Sequence, residues 1–165
     1  ALSVADNVTI GLHLRGTAGF LDVLLGRRRI RDEEQRLATD AEAIIAFVGL
    51  AHRRREIASA LPYGEQRLVE LAVALAAHPR LLLLDEPGAG MAAGEKDVVS
   101  ELIRNIRGRG ITVLLVEHDM RMVMGISDTV IVLNHGRVIA EGAPAAIQAH
   151  PDVIRAYLGT TGDRA

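Results

Sequence analysis

The run Leu81-Leu82-Leu83-Leu84, cut off by Asp85-Glu86-Pro87, constrains this chain more than any other feature of its sequence. Four leucines are too few for a helix and lack the alternation of a strand with one wet face, so they predict a short strand buried on both faces. The pattern returns once, where Ile111-Thr112-Val113-Leu114-Leu115-Val116 runs into Glu117-His118-Asp119. Between the two lies an amphipathic stretch from about Glu95 to Arg107, closed by Gly108 and Gly110, which reads as a helix. Strand, helix, strand predicts a parallel crossover unit of right hand.

Composition agrees with an α/β chain. Of 165 residues, 49% are hydrophobic but only 2% aromatic, so the core must be built from Leu, Ile, Val and Ala. Those side chains suit helices packed on a parallel sheet, and the length suits one domain. The net charge is −2, and the basic residues are scattered apart from Arg27 to Arg29 and Arg53 to Arg55. Such short triplets are expected at solvated helix ends or loops, and the balance argues against a nucleic-acid partner. With no cysteine, disulfides and thiolate metal sites are excluded. No apolar run approaches the roughly 18 residues of a membrane span, and no signal-peptide pattern opens the chain.

Around the crossover unit the coarse reading is as follows. Val4, Val8, Ile10, Leu12 and Leu14 form a brief apolar stretch that fits either a strand or a helix. Asp32 and Gln35 resemble a capping box, opening a helix whose apolar face is Leu37, Ala41, Ile44, Ile45 and Val48 before Gly49. Leu61-Pro62-Tyr63-Gly64 breaks the pattern; from Glu65 a second amphipathic helix carries Leu68, Leu71, Ala72 and Leu75 as far as His78-Pro79, which puts Gly64 at a helix N-terminus. A short helix from Met120 to Gly125 precedes a hairpin, 129–133 and 137–140, turned by Asn134-His135-Gly136. The tail from Pro144 to Leu158, broken at Pro151, reads as two short helices ending at Gly159.

Both apolar strands end in ionisable residues, and open parallel sheets bind ligands outside the carboxyl ends of their strands. Asp85-Glu86 and Glu117-His118-Asp119 therefore gather on one rim, a layout suited to a metal-bound phosphate. A strand-end carboxylate such as Asp85 suits Mg²⁺, which keeps several waters and takes few protein ligands. Glu86, one residue on, can orient or deprotonate an attacking water as general base. His118 donates a hydrogen bond to a γ-phosphate oxygen and senses its presence. For Glu117 and Asp119 a structural or capping role is expected.

The series Leu61-Pro62-Tyr63-Gly64-Glu65-Gln66, then Asp85-Glu86-Pro87, then Glu117-His118-Asp119 resembles the signature, Walker B and switch-histidine motifs of the ATP-binding cassette (ABC) transporter ATPases. Tyr63, Gly90-Met91, the stretch from Met120 to Ser127 and the ending Tyr157-Leu158-Gly159 are similar to the branched-chain amino acid importer type. The resemblance implies part of a P-loop NTPase (RecA-like) fold: a parallel sheet, a helical subdomain, a C-terminal β-hairpin and short helices. It divides the chain into residues 1–78, the end of the core and the helical signature subdomain, and residues 79–165, the C-terminal part of the nucleotide-binding lobe.

In such a cassette Pro62, Tyr63, Gly64, Glu65 and Gln66 would face the ATP of a partner subunit, with the N–H groups of Gly64, Glu65 and Gln66 turned toward its γ-phosphate. The segment Ala89 to Ala92 would touch that partner. Glu86 and His118 would be catalytic, Asp85 would hold Mg²⁺ through water, and the cofactors would be ATP and Mg²⁺. The implied partners are a transmembrane permease subunit and a second ATPase in a head-to-tail dimer, without nucleic acid. The implied location is the cytoplasm, peripheral on the inner face of the plasma membrane.

Three departures bear on activity. Lys96 is the only lysine, so the phosphate-binding loop G-x-x-x-x-G-K-[ST] is absent, and the chain is expected to be the C-terminal two-thirds of a complete ATPase. Losing four or five charge-assisted hydrogen bonds of about 1.5–3 kcal/mol each removes roughly the whole of a micromolar affinity, so the residues present are expected neither to bind nor to hydrolyse ATP alone. Pro62 stands where the family usually has serine, and Ala92 where it has an interface aspartate. Urea or amide importers have very similar subunits, and a module of interaction or regulation that never binds nucleotide is the alternative reading.

Overall fold

The computed structural model describes residues 1–13 and 27–158. Helix α1 (Val4–His13) resolves the ambiguous opening as helical. Its Val4, Val8 and Leu12 are buried, a spacing of four that only a helix brings to one face. Leu14 and Gly159 lie outside the described residues. Helix α2 (Arg27–Phe47) begins earlier than the Asp32 to Gln35 pattern suggested, so Asp32 stands inside the helix and not at its cap. Its apolar stripe supplies Ala41 and Ile45 to the core, and Gly49 at φ 84 lets the chain turn away after Val48.

Two single 3₁₀ turns, Ala51–Arg53 and Ala58–Ala60, lead to α3 (Tyr63–Ala76). In the second basic triplet, Arg53 bridges Glu56 and Glu65, at 3.1 Å to each carboxylate, which gives it a structural role. Strand β1 (Leu81–Asp85), helix α4 (Ala93–Gly108) and strand β2 (Thr112–Val116) follow. The strands pair in parallel with Leu81 opposite Thr112 and Asp85 opposite Val116, as the crossover pattern predicts. Helix α5 (Met120–Ile126), the antiparallel hairpin β3 (Val130–Asn134) and β4 (Arg137–Gly142), and the helices α6 (Pro144–Gln148) and α7 (Pro151–Val153) complete the order, with a wider π turn at Ile154–Leu158. His135 and Gly136 both have positive φ, 47 and 74, as a two-residue turn matched to strand twist requires.

One core cluster runs from α1 through α2, α3 and α4 to α5, with Ile45, Leu50, Ile103 and Ile106 among its most buried side chains. A second packs the hairpin on α6 and α7 through Val130, Val132, Ala140, Ile147 and Val153. The expectation that β1 and β2 are buried on both faces is not met. Leu82, Leu84, Val113 and Leu115 face the core, whereas Leu81, Leu83, Leu114 and Val116 are 52–64% exposed on the other face. An apolar run shows that a strand tolerates burial on both sides, but what covers each side depends on the neighbouring elements, and among the described residues none lies over that face. No described helix is long and apolar enough to cross a membrane.

Candidate functional site

The carboxyl ends of β1 and β2 deliver the two ionisable groups to one edge. The parallel register sets Asp85 beside Val116, and the Glu86 N–H donates to the Val116 carbonyl at 2.8 Å, extending the ladder by one bond. Glu86 then turns out of the sheet with φ 45, a left-handed conformation that a non-glycine residue adopts at a cost and that recurs at functional sites. Its Oε1 lies 3.2 Å from His118 Nδ1. Asp85, Glu86 and His118 thus stand on one rim.

The turns that carry these residues are held by Glu117, whose side chain is only 1% exposed. Its Oε1 accepts the Gly88 N–H at 2.9 Å, and its Oε2 accepts the N–H groups of His118 and Asp119 at 3.0 and 3.2 Å. One buried carboxylate therefore ties the loop after Glu86 to the loop bearing His118, and burying it is tolerable because three donors satisfy it. Asp119 caps α5, accepting from the Arg121 and Met122 N–H groups, and pairs with Lys96 Nζ at 2.7 Å. The hydrogen bond from Lys96, with the two backbone donors, holds the Asp119 carboxyl below its usual value, and Lys96 is raised in turn by Asp119. The structural and capping roles expected for Glu117 and Asp119 are those observed.

The segment 61–66 places its residues around the start of α3. Pro62 is the N-cap residue and contributes no side-chain bond. Tyr63 lies beside the loop after β1: a Cβ added to Gly90, whose φ of 73 already favours glycine, would meet its ring at 3.2 Å. The Tyr63 hydroxyl accepts from Arg67 Nη2 at 2.6 Å. Glu65 is held by Arg53, and Gln66 Nε2 donates to the Leu61 carbonyl at 2.7 Å. One expectation needs correcting: the Gln66 N–H already donates to the Pro62 carbonyl at 3.0 Å and is not free for an anion. The helix-start donors without an acceptor among the described residues are the N–H groups of Tyr63, Gly64 and Glu65.

Sequence reading missed Glu95. Its Oε2 accepts the Ala92 N–H at 2.9 Å, so it caps α4, and its Oε1 lies 2.4 Å from where a Cβ on Gly64 would sit. Only half of a capping box exists, because Ala92 has no side-chain oxygen to reciprocate. A glutamate three residues into a helix was the available signal for the cap; its contact with Gly64 had none.

These groups suit a magnesium–triphosphate in kind. Asp85 carries one exposed carboxylate without a hydrogen-bond partner among the described residues, as a magnesium bound largely through water needs. The unsatisfied N–H groups at the start of α3 suit an anion.

A parallel crossover with an acid and an imidazole at its rim, together with a helix that starts at Tyr63, is the arrangement expected of an ATP-binding cassette. A family profile described as ABC transporter matches residues 2–89, and the chain belongs to that family. A second, described as branched-chain amino acid ATP-binding cassette transporter, matches residues 137–163. Among curated proteins, the high-affinity branched-chain amino acid transport ATP-binding proteins LivG of Escherichia coli and BraF of Pseudomonas aeruginosa are each 38% identical over 159 residues. The match covers 96% of this chain and 62% of either relative. A solved ATP-binding cassette of an ABC transporter in its ADP conformation superposes with a TM-score of 0.77 at 28% identity, over 96% of this chain and 63% of that one. A nucleotide-free cassette gives 0.76, also at 28% identity.

Proposed function

We propose that this chain is the C-terminal part of the ATP-binding subunit of an importer for branched-chain amino acids or similar small solutes. The observation that carries the reading is the Glu86–His118 contact of 3.2 Å at the ends of two parallel-paired strands. Glu86 orients and deprotonates the attacking water, and its backbone turn aims the carboxylate away from the sheet. His118 donates to the γ-phosphate from Nε2, which with Nδ1–H given to the Glu86 carboxylate calls for the doubly protonated ring, and the contact couples that phosphate to the base. Asp85 would hold magnesium through water, and the ion would neutralise charge on the phosphates. The start of α3 presents the N–H groups of Tyr63, Gly64 and Glu65 to ATP on a partner subunit, and 89–92 meets that partner.

The exposed apolar face of β1 and β2 supports the reading that further polypeptide, bearing a phosphate-binding loop, covers the sheet. Leu81, Leu83, Leu114 and Val116 leave it dry on one side only. A transmembrane permease and a second ATPase are the partners this reading assigns, with the chain at the inner membrane surface.

The test joins the part of LivG that carries the phosphate-binding loop to this chain. The fusion is expected to hydrolyse ATP, and Glu86→Gln to slow turnover by at least about 10²-fold while ATP remains bound. Unchanged turnover in Glu86→Gln would remove Glu86 as the base. A fusion that folds but never binds ATP would favour a nucleotide-free interaction module.

A further inference from the structure

Between α4 and α5 the surface opens into a cavity of about 390 Å³, within the size range of small-molecule sites. Its apolar wall is Met91, Met122 and Ile126, each buried. The polar groups around it fall into two sets. Lys96 is occupied by Asp119 at 2.7 Å, and Arg104 by Glu101. Asp97, Ser100 and Arg121 differ, because among the described residues none of their side chains has a hydrogen-bond or ion-pair partner.

Ser100 is the most informative of the three. It is 7% exposed and lines the cavity. A helical serine usually returns its hydroxyl to the carbonyl one turn back. Ser100 makes no such bond among the described residues, and its hydroxyl is not a buried unpaired group but is open to the cavity, where a ligand can take the place of water. Asp97 and Arg121 add an unpaired negative and an unpaired positive group, which line the same space without meeting each other.

We infer that this cavity binds a small zwitterion with an apolar body, of the class of a free aliphatic α-amino acid. The carboxylate lies on the Arg121 guanidinium, the ammonium on the Asp97 carboxylate, and the side chain against Met91, Met122 and Ile126, with the Ser100 hydroxyl orienting the polar end. A simple anion is opposed by Asp97 and Asp119, and a simple cation by Lys96, Arg104 and Arg121; a zwitterion neutralises both unpaired groups and keeps the apolar wall dry. The position gives occupancy a consequence. Helix α4 begins just beyond the loop that follows Glu86, and α5 begins two residues after His118, so a ligand bridging the helices couples the two loops of the rim.

Binding here requires neither ATP nor a phosphate-binding loop, so its failure would leave the ATPase assignment standing. The 165-residue chain, labelled with ¹⁵N, is titrated with L-leucine, L-leucinamide, which lacks the carboxylate, and 4-methylpentanoate, which lacks the ammonium. Leucine is expected to shift amides of α4 and α5 saturably with Kd at or below about 1 mM. Each of the other two compounds should bind at least about tenfold more weakly, as should leucine to Arg121→Ala or Asp97→Asn; both residues are exposed, so these variants keep the fold. No saturable shift up to about 20 mM would overturn the site. So would equal binding of the three compounds, or undiminished binding by both variants.

Discussion

Glu86 and His118 are 32 residues apart in sequence, yet Oε1 of one and Nδ1 of the other stand 3.2 Å apart across two strand ends. Neither is buried, so the contact is worth little as a stabilising ion pair. The positive φ at Glu86 marks where the chain accepts strain to create it. Replacing Glu86 by Gly should therefore relieve backbone cost while removing the carboxylate. We expect Glu86→Gly to be as stable as the parent chain or more so, by up to about 1 kcal/mol, in urea denaturation. A loss above that would show that the left-handed turn is not strained.

Glu117 governs the two loops more firmly than either rim residue. Glu117→Ala leaves the N–H groups of Gly88, His118 and Asp119 without their acceptor, at about 1–3 kcal/mol for each donor that water does not reach. The expected loss is about 2–4 kcal/mol by chemical denaturation. Amide exchange should quicken at all three N–H groups together, and protection retained at Gly88 would contradict the shared anchor.

Asp119 offers a pH test. Its folded carboxyl titrates below the ordinary 3.8, because Lys96 first and the α5 backbone next favour the charged form. A lowered folded value contributes stability above the unfolded value, and that contribution is lost as pH falls through the folded one. Lys96, raised above 10.5 by the same bond, loses its share only as pH rises through its folded value. Asp119→Ala should thus be less stable than the parent by about 1 kcal/mol near neutral pH, the usual worth of a helix cap. Denaturation at pH 7 and pH 3 should show the difference shrinking toward the lower pH. A constant difference would remove the charge from the account.

Gly64 and Glu95 should be coupled. Gly64→Ala gains helix propensity of up to about 1 kcal/mol but drives its Cβ against Glu95 Oε1, displacing the carboxylate from the Ala92 N–H. The two effects nearly cancel, so the single variant should be close to neutral. In a Glu95→Ala background the clash is absent, and the same change should stabilise by about 0.5–1 kcal/mol. A double-mutant cycle with no coupling would refute the contact.

ATP affinity tests the missing loop. By calorimetry this chain is expected to show no ATP binding below about 1 mM, since the donors at the α3 start and the rim replace only part of a phosphate-binding loop. Sub-millimolar binding would mean the residues present suffice.

Local features were legible because short-range chemistry decides them. The leucine run named β1, the spacing of Leu68, Leu71, Ala72 and Leu75 named α3, and Asn134-His135-Gly136 named the hairpin turn, which the structure narrows to its last two residues. The position of Asp85-Glu86 and Glu117-His118-Asp119 at the ends of two parallel strands put them on one rim before any distance was known. The opening stretch stayed ambiguous because ten residues with scattered valines satisfy either period; burial of Val4, Val8 and Leu12 against α2 and α3 decided for a helix.

The sequence by itself determined most of the helices, strands and turns after the opening stretch and which side chains carry charge, since these follow from periodicity, capping and residue chemistry within a few positions. Only the tertiary structure decided that Glu117 joins two loops, that Glu95 rests on Gly64, and that one face of β1 and β2 is open. Each depends on which distant segments meet, and such meetings are set by the packing of whole elements around a shared core.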